Sequence, residues 1–502
     1  MSARLLAAFI LNPFFCQCFV TAAVGINIIG FGCILGFPAI LLPQLHTPDT
    51  PVPVTKEAES WIVAALALSV LAGNFISPPI MDRLGRKMTH YALTVIFLIG
   101  WFTIILATSV EALIVGRILH GIAGGLLSTL RSILIGEYTS PRNRGAFLTI
   151  VSLSQAFGIF IVHLIGSFLS WQKTAFVCVF FPFVSLVMII YTPESPSWLV
   201  SRGRYDECRQ VFKWLRGNEE NDELEDMIEA RLAFEQAAVK ENKNQNWFSK
   251  LATIIRKREF YIPIIIMIHS NILLQFSGGP IMSSYSTVIM NLLMGPKANA
   301  YFWMVFIDTQ RIIFNTIAIF IINRTKRRVM IFTTGLLSVE SHFAIAIYAY
   351  CRNHGWDYDP VWLPALLINL QYLAVAIGTV PMPQVIGGEV FPLEYRSIGG
   401  TISQAAGGVA MFVALKTFPT LLDKTGLHGT YTFYGAILLV NLIIVLILLP
   451  ETKGKTLQQI ENEFRGRALK LEELEAKQSL QSNPIEIYKR KVSERSSSPV
   501  LL

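Results

Sequence analysis

Charge is scarce in this sequence. Aspartate, glutamate, lysine and arginine make up only 15% of the 502 residues, against 53% hydrophobic and a mean hydropathy of +0.50. A water-soluble domain carries roughly a quarter of its residues as charges, so that class is excluded. Histidine is also rare, at eight residues, and no His-rich, nucleophile-elbow or phosphate-cradling motif falls on an expected face. An enzyme is therefore not expected, nor a cofactor. The six cysteines (16, 18, 33, 178, 208 and 351) fall mostly in apolar stretches, and Cys351 has no evident partner, so no disulfide framework is implied. Cys16 and Cys18 lack the His or acid neighbours that a metal site needs, and no metal is expected.

What is present is long apolar blocks. A bilayer core needs about 20 apolar residues per helix, and only helices or closed barrels satisfy the backbone inside it. These blocks are too long for barrel strands. They mark twelve spans: 17–42, 58–81, 88–108, 112–136, 146–169, 173–192, 260–292, 300–323, 329–350, 362–388, 399–421 and 429–450. The expected fold class is all-α, a polytopic membrane protein. Apolar sequence before Asn12 and Pro13 suggests a short interfacial helix at the amino end, with no cleavage site of a signal peptide.

Short loops carrying Arg83, Arg86 and Lys87, then Arg142 and Arg144, then Arg324, Lys326, Arg327 and Arg328, then Arg396, all fall on one side. That side is expected to be cytoplasmic, with both termini on it. The net charge of +8 then reads as a topology signal, not a nucleic-acid footprint. Between the sixth and seventh spans, Tyr205, Cys208, Val211, Phe212 and Leu215 recur at helical spacing and predict an amphipathic helix under the bundle. A further helix is expected from Leu457 to about Gln478, followed by a disordered serine-rich end.

The sequence also repeats itself. Tyr191-Thr-Pro-Glu194 after the sixth span matches Leu449-Pro-Glu451 after the twelfth, Glu137 and Arg144 match Glu389 and Arg396, and Asp82 to Lys87 matches Asn323 to Arg328. Two six-helix units of one design are expected: residues 1–192 and 260–450, joined by a cytoplasmic linker at 193–259 and followed by a tail at 451–502. Repeats of this kind, with a site near the midplane between them, are transporter architecture.

DRLGRK, GRILHGIAGG with GEYTSPRNRG, PESPSW, QFSGG, GGEVFPLEYR and PETKGKTLQQIE together resemble the sugar-porter family of the major facilitator superfamily, most closely its insect trehalose and hexose transporters. The match covers about residues 17–465. The resemblance implies the twelve-helix major facilitator fold in two pseudo-symmetric halves. It also implies a cytoplasmic gate of ion pairs that holds the halves together: Asp82, Arg83, Arg86, Arg117, Glu137, Arg144 and Glu194 in the first half, and Arg327, Arg328, Glu389, Arg396 and Glu451 in the second.

The sugar-contact positions implied by the family are altered here. The fifth-span glutamine falls at Ser152, the seventh-span pair at Leu274 and Gln275, a following asparagine at Pro280, an eighth-span asparagine at Arg311, the tenth-span tryptophan at Gln384 and an eleventh-span Asn-Trp pair at Gly407 and Gly408. Gln155, Gln275, Ser277, Gln384, Ser403 and Gln404 remain candidates to line a polar cavity, since amides both donate to and accept from hydroxyls. Arg311 is either a substrate contact or the partner of Asp308 in an i, i+3 lock. Glu340 and His342 read either as a proton relay or as structural. No acid stands near Ile34, where the family's proton-coupled members carry one, which favours facilitated diffusion.

The resemblance thus points to a uniporter of trehalose or a hexose, resident in the plasma membrane, with a small solute and the lipid bilayer as its partners. Two alternatives stand beside it. One is a carrier of another, anionic solute, motivated by Arg311; the other is a non-transporting nutrient sensor, motivated by the missing acid and glycine of Asn323 to Arg328.

Overall fold

The computed structural model describes residues 12–47, 52–217, 224–225, 227–229, 257–295, 298–355, 361–391, 396–455 and 457–466. The expected interfacial helix before residue 12 and the tail beyond residue 466 lie outside the described residues, which among themselves hold helices and no strand.

Six helical spans come first: α1 (Pro13–Leu45), α2 (Lys56–Leu84), α3 (Arg86–Ile105), α4 (Val110–Tyr138), α5 (Pro141–Gly166) and α6 (Trp171–Tyr191, interrupted at Val179). Two short helices follow, α7 (Pro196–Ser201) and α8 (Tyr205–Arg216). The seventh span is broken into α9 (Arg258–Phe276) and α10 (Gly279–Met294), and α11 (Ala300–Arg324) and α12 (Arg327–Asn353) succeed it. The tenth span is α13 (Trp362–Ala374), a π-turn at Val375–Thr379 and α14 (Pro381–Val390); α15 (Arg396–Leu448) and α16 (Leu457–Arg465) are the last of the described elements. Ten stretches are long and apolar enough to cross a bilayer; one of them, within α15, bends at Gly426 and holds two crossings, and α5 adds another, so twelve crossings result. The first span begins at Pro13, four residues earlier than its apolar pattern suggested, because the Asn12 side chain accepts from the Phe14 N–H and proline suits the first helical turn.

The two largest apolar cores lie among α1–α6 and among α9–α16. Leu42 of α1 and Val63 and Ala67 of α2 join the second core, so the first six helices and the later ones interlock there. Inside the first six, α1 and α5 pack backbone to backbone: a Cβ on Gly32 would collide with the Gln155 carbonyl, and one on Gly158 with that of Ile29. Loop arginines and lysines gather where α2 ends and α3 begins; this is called the basic face below, and the end where α2, α4, α6 and α11 begin is the far face. Those four are capped by their own Thr55, Ser109, Ser170 and Asn299.

Candidate functional site

On the basic face, α3 and α12 begin without a capping side chain of their own, after Gly85 and Lys326. Glutamates from elsewhere satisfy their orphan N–H groups. Glu194 accepts from the backbone N–H of Arg86 at 2.8 Å and of Lys87 at 3.1 Å; Glu451 accepts from Arg327 at 3.0 Å and Arg328 at 3.2 Å. Each carboxylate also faces the positive end of a helix dipole. Arg86 grips Glu137 of α4 through Nε and Nη2, both at 3.0 Å, and Arg327 grips Glu389 of α14 at 3.2 and 2.9 Å. Ser195 donates to Glu137 and Thr452 to Glu389, each at 2.5 Å. The two Pro-Glu endings therefore build one arrangement twice, and the second copy is complete although Asn323 to Arg328 lacks the acid and glycine of the first.

The copies differ in electrostatics. Burial dominates at Glu194 and lifts its pKa, against the N–H groups of Ser195, Lys87 and Arg86 that stabilise the ion. At Glu451 burial acts in the same direction, but the N–H groups of Lys453, Arg327 and Arg328 together outweigh it, and the carboxyl is held below its usual range.

Three expectations for this network need correction. Arg117 is not part of it. It is separated from Glu137 by twenty positions of α4, about 30 Å at 1.5 Å per residue, and lies buried toward the far face, where its Nη1 donates to the Ile34 carbonyl at 2.6 Å and its Nε to that of Ile62 at 3.1 Å. Arg83 is exposed and makes no ion pair among the described residues, while Asp82, also exposed, stays in the network through an ion pair with Arg86 at 4.0 Å, its carbonyl accepting from Trp198 and Arg202. Nor do the described pairs hold the halves together: Arg86 with Glu137 and Arg327 with Glu389 each close within one half, and Arg328 donates to the Leu446 carbonyl of its own half at 2.8 Å. The side chains of Arg144 and Arg396 lie outside the described residues.

Contacts between the halves gather toward the far face. Lys56 pairs with Asp423 at 2.7 Å, Ser60 donates to the Lys416 carbonyl at 3.2 Å, and the Lys416 ammonium sits 4.2 Å over the Trp61 ring. Thr287 of α10 donates to the Ala39 carbonyl of α1 at 2.8 Å. Deepest is His163 of α5, whose Nδ1 lies 2.5 Å from Asp308 Oδ2 on α11. Asp308 thus has a partner across the interface, and Arg311 instead donates to Ser283 at 3.1 Å; the i, i+3 lock is replaced by a cluster of two helices from each side.

Among the proposed cavity residues, Gln155, Gln275 and Arg311 sit about 20 to 26 Å from the basic-face ends of their spans, near the middle of the bundle. Gln384 and Gln404 are exposed and sit closer to the basic face, at about 9 and 12 Å. Gln404 shares a face of α15 with Gly408, one turn on, whose Cβ position meets Leu71 of α2, so that face is turned toward the first half. Ser277 and Ser403 are buried and committed: Ser277 donates to the Leu274 carbonyl at 2.8 Å, and Ser403 Oγ accepts from Asn271 at 2.9 Å. Ser152 has no described side chain. Glu340 is exposed while His342, two positions on, is buried and bonded to Gln371 at 3.2 Å, which places them on opposite faces of α12 and rules out a direct relay between them.

The sequence reading missed the breaks. Gly278, at φ +103°, separates α9 from α10, and a Cβ there would strike Gln371 Nε2, the atom that donates to the Ser277 carbonyl at 3.2 Å. The π-turn of the tenth span packs beside it. π-turns occur often at functional positions, and interrupted helices near the midplane of a repeat architecture are where a transporter's site is expected. A cavity of about 380 Å³ at the far face, bounded by Val288, Leu293, Arg352 and Leu427, lies away from the amides and is not that site.

The family model for sugar (and other) transporters matches residues 18–464. The chain belongs to that family. It is 29% identical over 468 residues to the facilitated trehalose transporter Tret1 of Drosophila yakuba, covering 92% of this chain and 53% of that protein. It is 28% identical to a facilitated trehalose transporter Tret1-2 homolog of Drosophila simulans, covering 89% and 91%. The chain thus spans about half the length of the first of these relatives and most of the second. Its backbone superimposes on the inward-open xylose transporter XylE of E. coli with a TM-score of 0.70 at 17% identity, over 89% of this chain and 99% of that one. A partially occluded inward-open form gives 0.71 at 19%, over 88% and 99%. The fold is that of the major facilitator superfamily, and these relatives are transporters, not enzymes.

Proposed function

We propose that this chain is a facilitative carrier for a sugar, trehalose or a hexose, working by alternating access, with the basic face and both termini in the cytoplasm of a cell whose plasma membrane it spans. The observation that carries the reading is the asymmetry of contact: the halves are joined toward the far face, and on the basic face each described ion pair stays within its own half. That is the arrangement of a carrier shut to the outside and accessible from within. In this reading Gln155, Gln275, Gln384 and Gln404 serve the path between the halves, where each amide would offer a donor and an acceptor to a neutral polyol. The absence of a carboxylate at Ile34 supports uniport. The relatives' names favour trehalose.

Neither alternative gains support. Arg311, the residue that motivated an anionic cargo, is engaged with Ser283 beside Asp308, and the Arg327, Glu389 and Glu451 set is intact where the sensor reading expected it degraded. The test is uptake of labelled trehalose and glucose into proteoliposomes, with and without a pH gradient. Saturable uptake that accumulates no sugar above equilibrium under the gradient is expected; concentrative uptake driven by the gradient overturns uniport, and no uptake of either sugar overturns the cargo.

A further inference from the structure

The His163 and Asp308 pair joins the halves, and its donor and acceptor count is unusual. His163 Nδ1 faces Asp308 Oδ2 at 2.5 Å, while Nε2 faces the Gly36 carbonyl at 3.1 Å and the Ser283 carbonyl at 3.3 Å. Carbonyl oxygens only accept. A neutral imidazole has a single N–H, so beside an ionised Asp308 it would leave one of these contacts as lone pair against lone pair. Both are satisfied when the pair holds two protons, one on Nε2 and one between Nδ1 and Oδ2, whether written as imidazolium with carboxylate or as imidazole with carboxylic acid.

We propose that His163 and Asp308 are a proton-binding latch in the outer gate, which closes with uptake of one proton from the outside and opens with its release to the same side. The proposal rests on the alternating-access reading above and adds a regulator to it. His163 belongs to α5 and Asp308 to α11, so opening the outer gate separates them. Asp308 then keeps Arg311, one turn along its own helix, as an alternative partner. His163, freed from its three acceptors, needs only one N–H, and the second proton passes to external water. Because the proton enters and leaves on one side, none is carried across, and uniport is preserved.

The charged and titratable groups around the pair are consistent with this partner exchange. Arg311 donates to Ser283 of α10 at 3.1 Å; Tyr372 of α13 is in electrostatic reach of both Asp308 and Arg311. From α1 the pair meets the Gly36 carbonyl, and Arg117 of α4 holds the Ile34 carbonyl two residues earlier at 2.6 Å. A Cβ at Gly36 would come within 2.9 Å of His163 Nε2, so this close approach of α1 to the ring is built into the sequence.

One proton of linkage sets the size of the effect: each unit of acidification shifts the outer gate toward closed by up to tenfold, within the window between the pair's proton affinities in the open and closed states. The experiment is hydrogen–deuterium exchange of the full chain in nanodiscs without sugar, over roughly pH 5.5 to 8, corrected for intrinsic exchange. Exchange in 36–45 and 283–294 is expected to rise with pH in the wild type and to be flat in His163→Gln and in Asp308→Asn. Wild-type exchange that ignores pH overturns the latch, as does a pH dependence that survives both substitutions. Should a variant fail to fold, solid-state 15N NMR of the wild type decides: a two-proton pair supports the latch, and a neutral His163 beside an ionised Asp308 overturns it. Sugar uptake measured in parallel separates the two readings, since a pH-dependent gate in a protein that carries neither sugar upholds the latch while removing the carrier reading.

Discussion

On the far face, α2 meets α15 through Lys56 and Asp423, and α5 meets α11 through His163 and Asp308; on the basic face, Arg86 and Arg327 each turn back into their own half. The same residue types thus do opposite work at the two ends. Far-face polar groups bridge the halves, and under the proposed alternating access they must part for that face to open. Basic-face groups tie helices within a half, which under the same proposal lets each half move as a rigid body. A carrier needs both kinds of contact, because a rocking motion is transmitted only by units that do not themselves deform.

Breaking this contrast where it is deepest has the largest effect. Asp308→Ala leaves His163 buried without its carboxylate, and loss of one partner of a buried pair costs about 3 to 5 kcal/mol. A marked fall in melting temperature in detergent is expected; an unchanged melt removes the pair from the interface. Next come the arginines of the basic face. Arg86→Ala and Arg327→Ala each sever a two-bond, partly buried grip on a glutamate, worth about 1.5 to 3 kcal/mol. Both should lower melting temperature and exchange rate by similar amounts, and a large inequality would show that the two halves are not equivalent supports.

A finer comparison uses the two capping glutamates. Glu451→Gln replaces a carboxylate its surroundings favour, and Glu194→Gln one that burial disfavours, so the first should cost more. The pH signs follow. Glu194 binds its proton more tightly folded than unfolded, so folding gains from its protonation at low pH and loses that gain as pH rises through its lifted value. The contribution of Glu451 is present above the ordinary carboxylate range and lost as pH falls through its depressed value. Melting curves of the two variants against pH should therefore diverge from wild type in opposite directions. The smallest effect is expected for Lys56→Ala, an exposed pair whose removal should change uptake only at low ionic strength; an effect that persists in high salt would mean that this bridge is drier than its exposure implies.

Much of the architecture was legible in the sequence because its signals are local or periodic. The apolar runs locate the crossings, and the paired spacing from Glu137 to Arg144 and from Glu389 to Arg396 exposes the duplication. Even the depth of Arg117 was available, since helical rise alone places it far from Glu137. The rest depends on long-range contact. Nothing near Glu194 announces that its carboxylate will cap α3, and His163 and Asp308 are 145 positions apart. The one available hint was the cost of a charge inside a membrane: an aspartate in the eighth span requires a partner, and a histidine near the outer end of the fifth could supply it. The break at Gly278 was marked by its Ser277-Gly-Gly-Pro280 surroundings, a turn signal that a count of apolar residues passes over, whereas the π-turn at Val375–Thr379 depends on how the tenth span packs.

The central claim is that the two faces move in opposition, and distance measurement tests it most directly. Spin labels at Glu57 and Lys424 report the far face, and labels at Arg204 and Lys455 the basic face, all four being exposed positions. Without sugar, a short far-face distance and a long basic-face distance should dominate. With trehalose present, a second population is predicted in which the far-face pair lengthens and the basic-face pair shortens together. Distances that stay fixed, or that lengthen at both faces at once, would contradict the account.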